Sequence, residues 1–168
     1  MPKRRPLLAM VLGLMVAAVA ASVVTATANQ DEPRKFRLDA KVVGLTSSPG
    51  FPAIGENVVL TGVVKRRHRG KVAPGAVVIR NTITGQSGNA LLSAVRLTAY
   101  FRDGSVRQRS STARATLQPD GSIDFEGKGR IVSGTGKYRG ATGSFRVTGS
   151  QASFDGPLNF VSEGKISY

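Results

Sequence analysis

Cysteine and tryptophan are absent from the 168 residues, His68 is the single histidine, and only ten acidic residues stand against 24 Lys and Arg. Without cysteine there is no disulfide framework, no thiol nucleophile and no Cys-ligated zinc. One histidine completes neither a Ser-His-Asp triad nor a metal cluster. The shortage of acids leaves a formal charge of +14, yet 40% of the residues are apolar, too many for a disordered basic tail. What the chain does have is glycine, 20 in all, which favours many turns.

One long apolar run is present, and it lies at the N-terminus. Lys3, Arg4 and Arg5 precede Leu7 to Val24, and Ala26-Thr27-Ala28 follows with the A-x-A spacing of a cleavage site. Residues 1–28 therefore read as a secretory signal peptide cut before Asn29, with a retained membrane anchor as the alternative. The arginine pair lacks the Ser/Thr of a twin-arginine signal, so either export route stays open. The expected product is secreted or held in the cell envelope. Removing Lys3, Arg4 and Arg5 leaves 21 Lys and Arg against the ten acids, or +11. Residues 29–35 read as a polar linker and residues 36–168 as one domain, large enough to fold around a core without staples.

That domain reads as all-β. Phe36, Leu38, Ala40 and Val42 alternate with Arg37, Asp39 and Lys41, the period of two of a half-buried strand. Further strands are expected at Val58–Val64, Ala76–Thr84, Leu91–Phe101, Ser105–Leu117, Ser122–Ser133, Gly143–Ser153 and Leu158–Ser167. Asp103-Gly104, Asp120-Gly121 and Asp155-Gly156 supply turn chemistry between them. No segment after Asn29 carries a helical apolar stripe. Short strands at this spacing make a sandwich or a closed barrel. The second to fourth strands are apolar on both faces, so their outer side calls for a cover such as a neighbouring subunit, and a homo-oligomer (dimer or trimer) is expected.

Gly134-Thr135-Gly136-Lys137 invites a phosphate-loop reading, but it fits neither G-x-G-x-x-G nor G-x-x-x-x-G-K-[ST], and a strand follows it. It reads instead as a wide hairpin in which Gly134, Gly136, Gly140 and Gly143 relieve the backbone and Tyr138 packs inward. No cofactor or metal is called for.

The stretch Ile131-Val132-Ser133-Gly134-Thr135-Gly136-Lys137-Tyr138-Arg139-Gly140-Ala141-Thr142-Gly143 resembles the late hairpin of the allene oxide cyclase and dirigent proteins, with Ser133 where the family has a glycine. Gly55-Glu56 is similar to the Gly-Asp that opens an early strand in bacterial relatives, and the resemblance runs from Gly55 to Gly149. It implies an eight-stranded antiparallel up-and-down β-barrel with a ligand cavity, trimeric in many plant members. Family members cyclise an allene oxide or steer the coupling of phenoxy radicals. The expected partner is thus a hydrophobic small molecule, and whether this chain is a cofactor-independent cyclase or only a binding module stays open.

The resemblance also implies a first-strand aspartate in catalysis. Asp39, three residues after Phe36, occupies that place, although Leu38 stands where the family commonly has His. Asp124, Glu126 and Glu163 are the other strand acids, and they and Tyr100 are candidate ligand-binding residues; the plain alternative is a solvated face. Lys65, Arg66, Arg67, Arg69 and Lys71 form a basic segment around His68, expected to be a loop between the second and third strands. As a binding patch it would hold an anionic envelope polymer on a non-enzymatic barrel. Nucleic acid is not expected, because no aromatic residues interleave with these cations.

Overall fold

Side chains on a strand alternate between two faces, so a sheet rolled onto itself puts every second residue inside. In a computed structural model of the chain, residues 32–44, 52–68, 70–153 and 155–168 are described. The expected signal peptide (1–28), Asn29 to Asp31 of the expected linker, and Arg69 lie outside them. Eight strands follow in order: β1 (Arg34–Gly44), β2 (Asn57–His68), β3 (Lys71–Ser87), β4 (Ala90–Phe101), β5 (Gly104–Leu117), β6 (Ile123–Gly136), β7 (Thr142–Gln151) and β8 (Leu158–Ser167). Each pairs antiparallel with its neighbour in sequence, and β8 returns to β1, for example through Leu38 opposite Ser162, so the sheet closes. This is the up-and-down barrel expected from the motif.

The interior follows the period of two. Phe36, Leu38, Ala40 and Val42 point inward from β1 and are met by Leu60, Val64, Val77, Ile79, Leu97, Ala99, Val106, Ile131, Phe145, Phe160 and Ile166. Closure leaves no unpaired strand edge, which removes the usual route to edge-to-edge aggregation. Register shifts in β5 between Arg109 and Arg114, and in β4 between Ser93 and Val95, bend the wall near one end.

The basic segment departs from the expected loop. Residues 65–68 belong to β2, Lys71 already opens β3, and Lys65 to His68 pair directly with Pro74 to Lys71. Because strand alternation persists through the run, Lys65 and Arg67 face outward while Arg66 and His68 are buried inside. Two residues assigned to the linker, Arg34 and Lys35, likewise lie in β1.

The late hairpin shows why glycine recurs there. At Gly136 φ is +57°, which a side chain rarely adopts. At Gly134 the constraint is space: a Cβ would lie 2.5 Å from the Cβ of Tyr138, which folds back into the barrel and is fully buried.

Candidate functional site

The two ends of the barrel differ in chemistry. At the end where β1 begins and β2 finishes, large side chains close the lumen. The Arg66 guanidinium lies 4.9 Å from the centre of the Phe101 ring and 5.4 Å from that of Tyr138. Its Nη1 donates to both carboxylate oxygens of Asp103 at 2.9 and 3.0 Å. Behind it, Tyr138 packs edge-on against Tyr168 at 5.0 Å between centroids. The His68 Nδ1 donates to the Lys35 carbonyl oxygen at 2.9 Å, and its Nε2 lies 3.2 Å from the Tyr168 hydroxyl. A buried cation is tolerated here because it has a carboxylate and two ring faces as partners.

Hydrogen bonding from Arg66 lowers the Asp103 pKa, and this outweighs the opposing effect of partial burial; the charges of Arg66 and Lys137 add to it. This end is a plug.

The other end holds a cavity of about 280 Å³, opening between the start of β2 and the ends of β5 and β7. Val58, Leu60, Ile79, Ile83, Leu91, Val95, Leu97, Phe125, Phe145, Val147 and Phe160 make its walls apolar. Polar residues interrupt them: Asn81, Ser93, Gln108 and Ser110, with Arg114 and Gln151 also in the lining. The Ser110 hydroxyl is satisfied by the Lys128 carbonyl at 2.7 Å. Gln108 is only 1% exposed; its Oε1 accepts from the Ser162 hydroxyl at 3.2 Å, while its Nε2 has no hydrogen-bond partner among the described residues. The Asn81 Oδ1 is also buried without a partner among the described residues. Buried polar atoms are nearly always paired, so this donor on β5 and this acceptor on β3 are places where a ligand or water can complete the pattern. Arg66 Nε and the Tyr138 hydroxyl in the plug are likewise buried without a partner among the described residues. The carboxylates touching this cavity, Glu56, Glu126 and Asp155, belong to residues near its open end.

Sequence-based candidates separate by face. Asp39 is on the outer wall, where its Oδ1 accepts from Arg37 Nε at 2.7 Å and its Oδ2 from Arg67 Nε at 2.8 Å. Partial burial would raise its pKa, but the hydrogen bonds and charges of Arg67 and Arg37 prevail and lower it. Glu163 faces outward too and pairs with Arg37. Tyr100 is 49% exposed, and Asp124 is exposed and accepts from Gln118 Nε2 at 2.9 Å. Of the four ligand-binding candidates only Glu126 borders the cavity. The proposed anion-binding set is also divided: Lys65, Arg67 and Lys71 are exposed, whereas Arg66 is committed to the plug. Gln108 and Asn81 went unnoticed among the candidates. Val106 two residues before Gln108 was the available signal, since it fixes the inward face of an otherwise polar strand.

No protein-family model matches the chain, and no curated protein matches it. Among solved structures, a pyocyanin demethylase is similar at 18% identity, covering 80% of this chain and 98% of that one, with a TM-score of 0.48. The pterocarpan synthase dirigent protein PsPTS1 is similar at 15% identity, over 81% of this chain and 94% of that one, with a TM-score of 0.48. A second pterocarpan synthase dirigent protein, GePTS1, shows 16% identity over 81% and 84%, with a TM-score of 0.46. The chain's own ladder, closed from β1 through β8, establishes the fold: an eight-stranded antiparallel β-barrel.

Proposed function

We propose that this barrel is an exported binding protein for a small, mostly apolar molecule that enters at the open end and carries a hydrogen-bonding oxygen. One observation carries the reading: the buried, unpartnered Nε2 of Gln108 in an apolar cavity of about 280 Å³. A ligand carbonyl or ether oxygen there accepts from Gln108, and a hydroxyl on the same ligand can donate to the Asn81 Oδ1. Two such contacts on otherwise apolar walls fix orientation, as small-molecule sites generally do.

Holding one conformer is also what directing a cyclisation or a coupling requires. The use made of similar barrels in the allene oxide cyclase and dirigent family fits that step. Asn81, Ser93, Gln108 and Ser110 are amides and hydroxyls, which orient and polarise a ligand and do not exchange protons near neutral pH; the ionisable residues of the lining, Glu56, Arg114, Glu126 and Asp155, lie toward its open end. Steering is the chemistry that these amides and hydroxyls support, with Asp39 outside the cavity.

The test is extraction of the protein, purified without detergent, followed by mass spectrometry of the organic phase. A stoichiometric apolar compound released from the wild type and missing from Ala115→Trp, which narrows the cavity, is expected. Equal recovery from both proteins, or none from either together with no uptake of an apolar fluorescent probe, would refute the reading.

A further inference from the structure

Four arginines stand in one row across the outer wall. Arg80 on β3 is directly opposite Arg96 on β4, Arg96 opposite Arg109 on β5, and Arg109 opposite Arg130 on β6. All four are exposed. Adjacent strands lie about 4.8 Å apart, so the row extends about 15 Å around the barrel. Continuing in register it passes Ser144 on β7 and reaches Lys165 on β8 and Lys35 on β1. Arg107 on β5 and Lys128 on β6 flank it two residues away.

Like charges directly opposite each other on a sheet are destabilising. Elsewhere the same wall relieves this: Arg37 and Arg67 are also opposite one another, and Asp39 bonds to both while Glu163 bonds to Arg37. Along Arg80, Arg96, Arg109 and Arg130, no carboxylate among the described residues forms an ion pair. Folding alone gives no reason for four uncompensated guanidinium groups in register. A bound anion with regularly spaced charges does.

We infer that the row Arg80–Arg96–Arg109–Arg130 is a docking track for a flexible phosphodiester polymer of the glycerol-phosphate type. Guanidinium forks match phosphate oxygens in bidentate geometry, so arginine rather than lysine suits the task. A flexible single chain can follow the curve of the barrel wall, which a stiff duplex cannot. No aromatic side chain sits within the row, so it offers no platform for stacking bases. The choice of a polymer met outside the cytoplasm rests on the proposed export. The track replaces the residue 65–71 segment as the anion-binding surface and does not depend on the cavity or its ligand.

The experiment measures binding of a synthetic poly(glycerol phosphate) to the full chain lacking residues 1–28, by fluorescence anisotropy across a salt series. The quadruple variant R80Q/R96Q/R109Q/R130Q should bind at least about tenfold more weakly, with a log–log salt slope shallower by about three. Its melting temperature should be unchanged or higher, since like-charge neighbours have been removed. The comparison variant K65Q/R67Q/K71Q should retain binding within about twofold. Unchanged affinity in a folded quadruple variant overturns the assignment. So does greater loss in the comparison variant, or tighter binding of double-stranded DNA than of the glycerol-phosphate chain.

Discussion

Removing the carboxylate of Asp103 while keeping its shape, as in Asp103→Asn, isolates what holds the closed end together. In the wild type the Arg66 side chain is 9% exposed, and its Nη1 contacts both Asp103 oxygens. Stranding one partner of a fully buried ion pair costs about 3–5 kcal/mol. Asp103 is 37% exposed, so water screens the pair and reaches its outer side. The two aromatic faces also continue to hold the guanidinium. A loss of about 2 kcal/mol follows, or a fall in melting temperature of about 6–8 °C for a domain of this size.

The pH dependence supplies a second arm. The folded-state pKa of Asp103 is depressed. Its contribution is therefore fully present above the unfolded value of about 3.9 and is lost as pH falls through the folded value. Urea unfolding at pH 7 should separate wild type from Asp103→Asn, and the gap should close as pH falls below the folded pKa of Asp103. Arg66→Met with Asp103→Asn should recover part of the loss by replacing the pair with an apolar side chain. Stabilities of wild type and Asp103→Asn within about 0.5 kcal/mol at pH 7 would refute the idea that this pair secures the plug.

Gly134→Val should destabilise the barrel by more than about 2 kcal/mol, read by thermal unfolding, because the new side chain overlaps Tyr138. Gly140→Val meets nothing nearby and is strained only by φ of +77°, so its loss should be smaller, about 1–2 kcal/mol. Carboxyl-carbon NMR should find Asp39 titrating below the usual aspartate range, with Asp39→Asn as the assignment control, since Arg67 and Arg37 hold it ionised; a raised value would place it in an apolar site instead. N-terminal sequencing of the exported protein should begin at Asn29, and recovery of Met1 in a membrane pellet would contradict cleavage.

Barrel architecture was legible because alternation and turns are local properties. Phe36, Leu38, Ala40 and Val42 announce an inward face, and Gly134, Gly136 and Tyr138 mark the hairpin that returns the chain. The basic segment was misread for a physical reason. A run of cations has low strand propensity and resembles a solvated tip, yet Arg66 and His68 are carried inward by partners distant in sequence, Asp103 and Tyr168. Strand acids were harder still. The sequence places Asp39, Asp124 and Glu163 opposite their apolar neighbours, but only closure tells which face becomes the lumen. Gln108 was hidden within a strand rich in Ser, Thr and Arg, where a single inward valine is the phase marker. The arginine row depends on the register of four strands, which no single stretch of sequence reveals.

The cavity reading rests on Gln108 and is tested most directly by calorimetric titration with two ligands of nearly equal shape, benzophenone and diphenylmethane, which differ in one carbonyl oxygen. A net hydrogen bond from a buried donor is worth about 1 kcal/mol, and leaving the donor unmet inside the complex adds to the difference. Wild-type protein should therefore bind benzophenone about five- to tenfold more tightly than diphenylmethane. Gln108→Leu should abolish that preference while binding diphenylmethane as tightly as the wild type or more so. Equal affinities for the two ligands in the wild type, or a preference that survives in Gln108→Leu, would contradict the account.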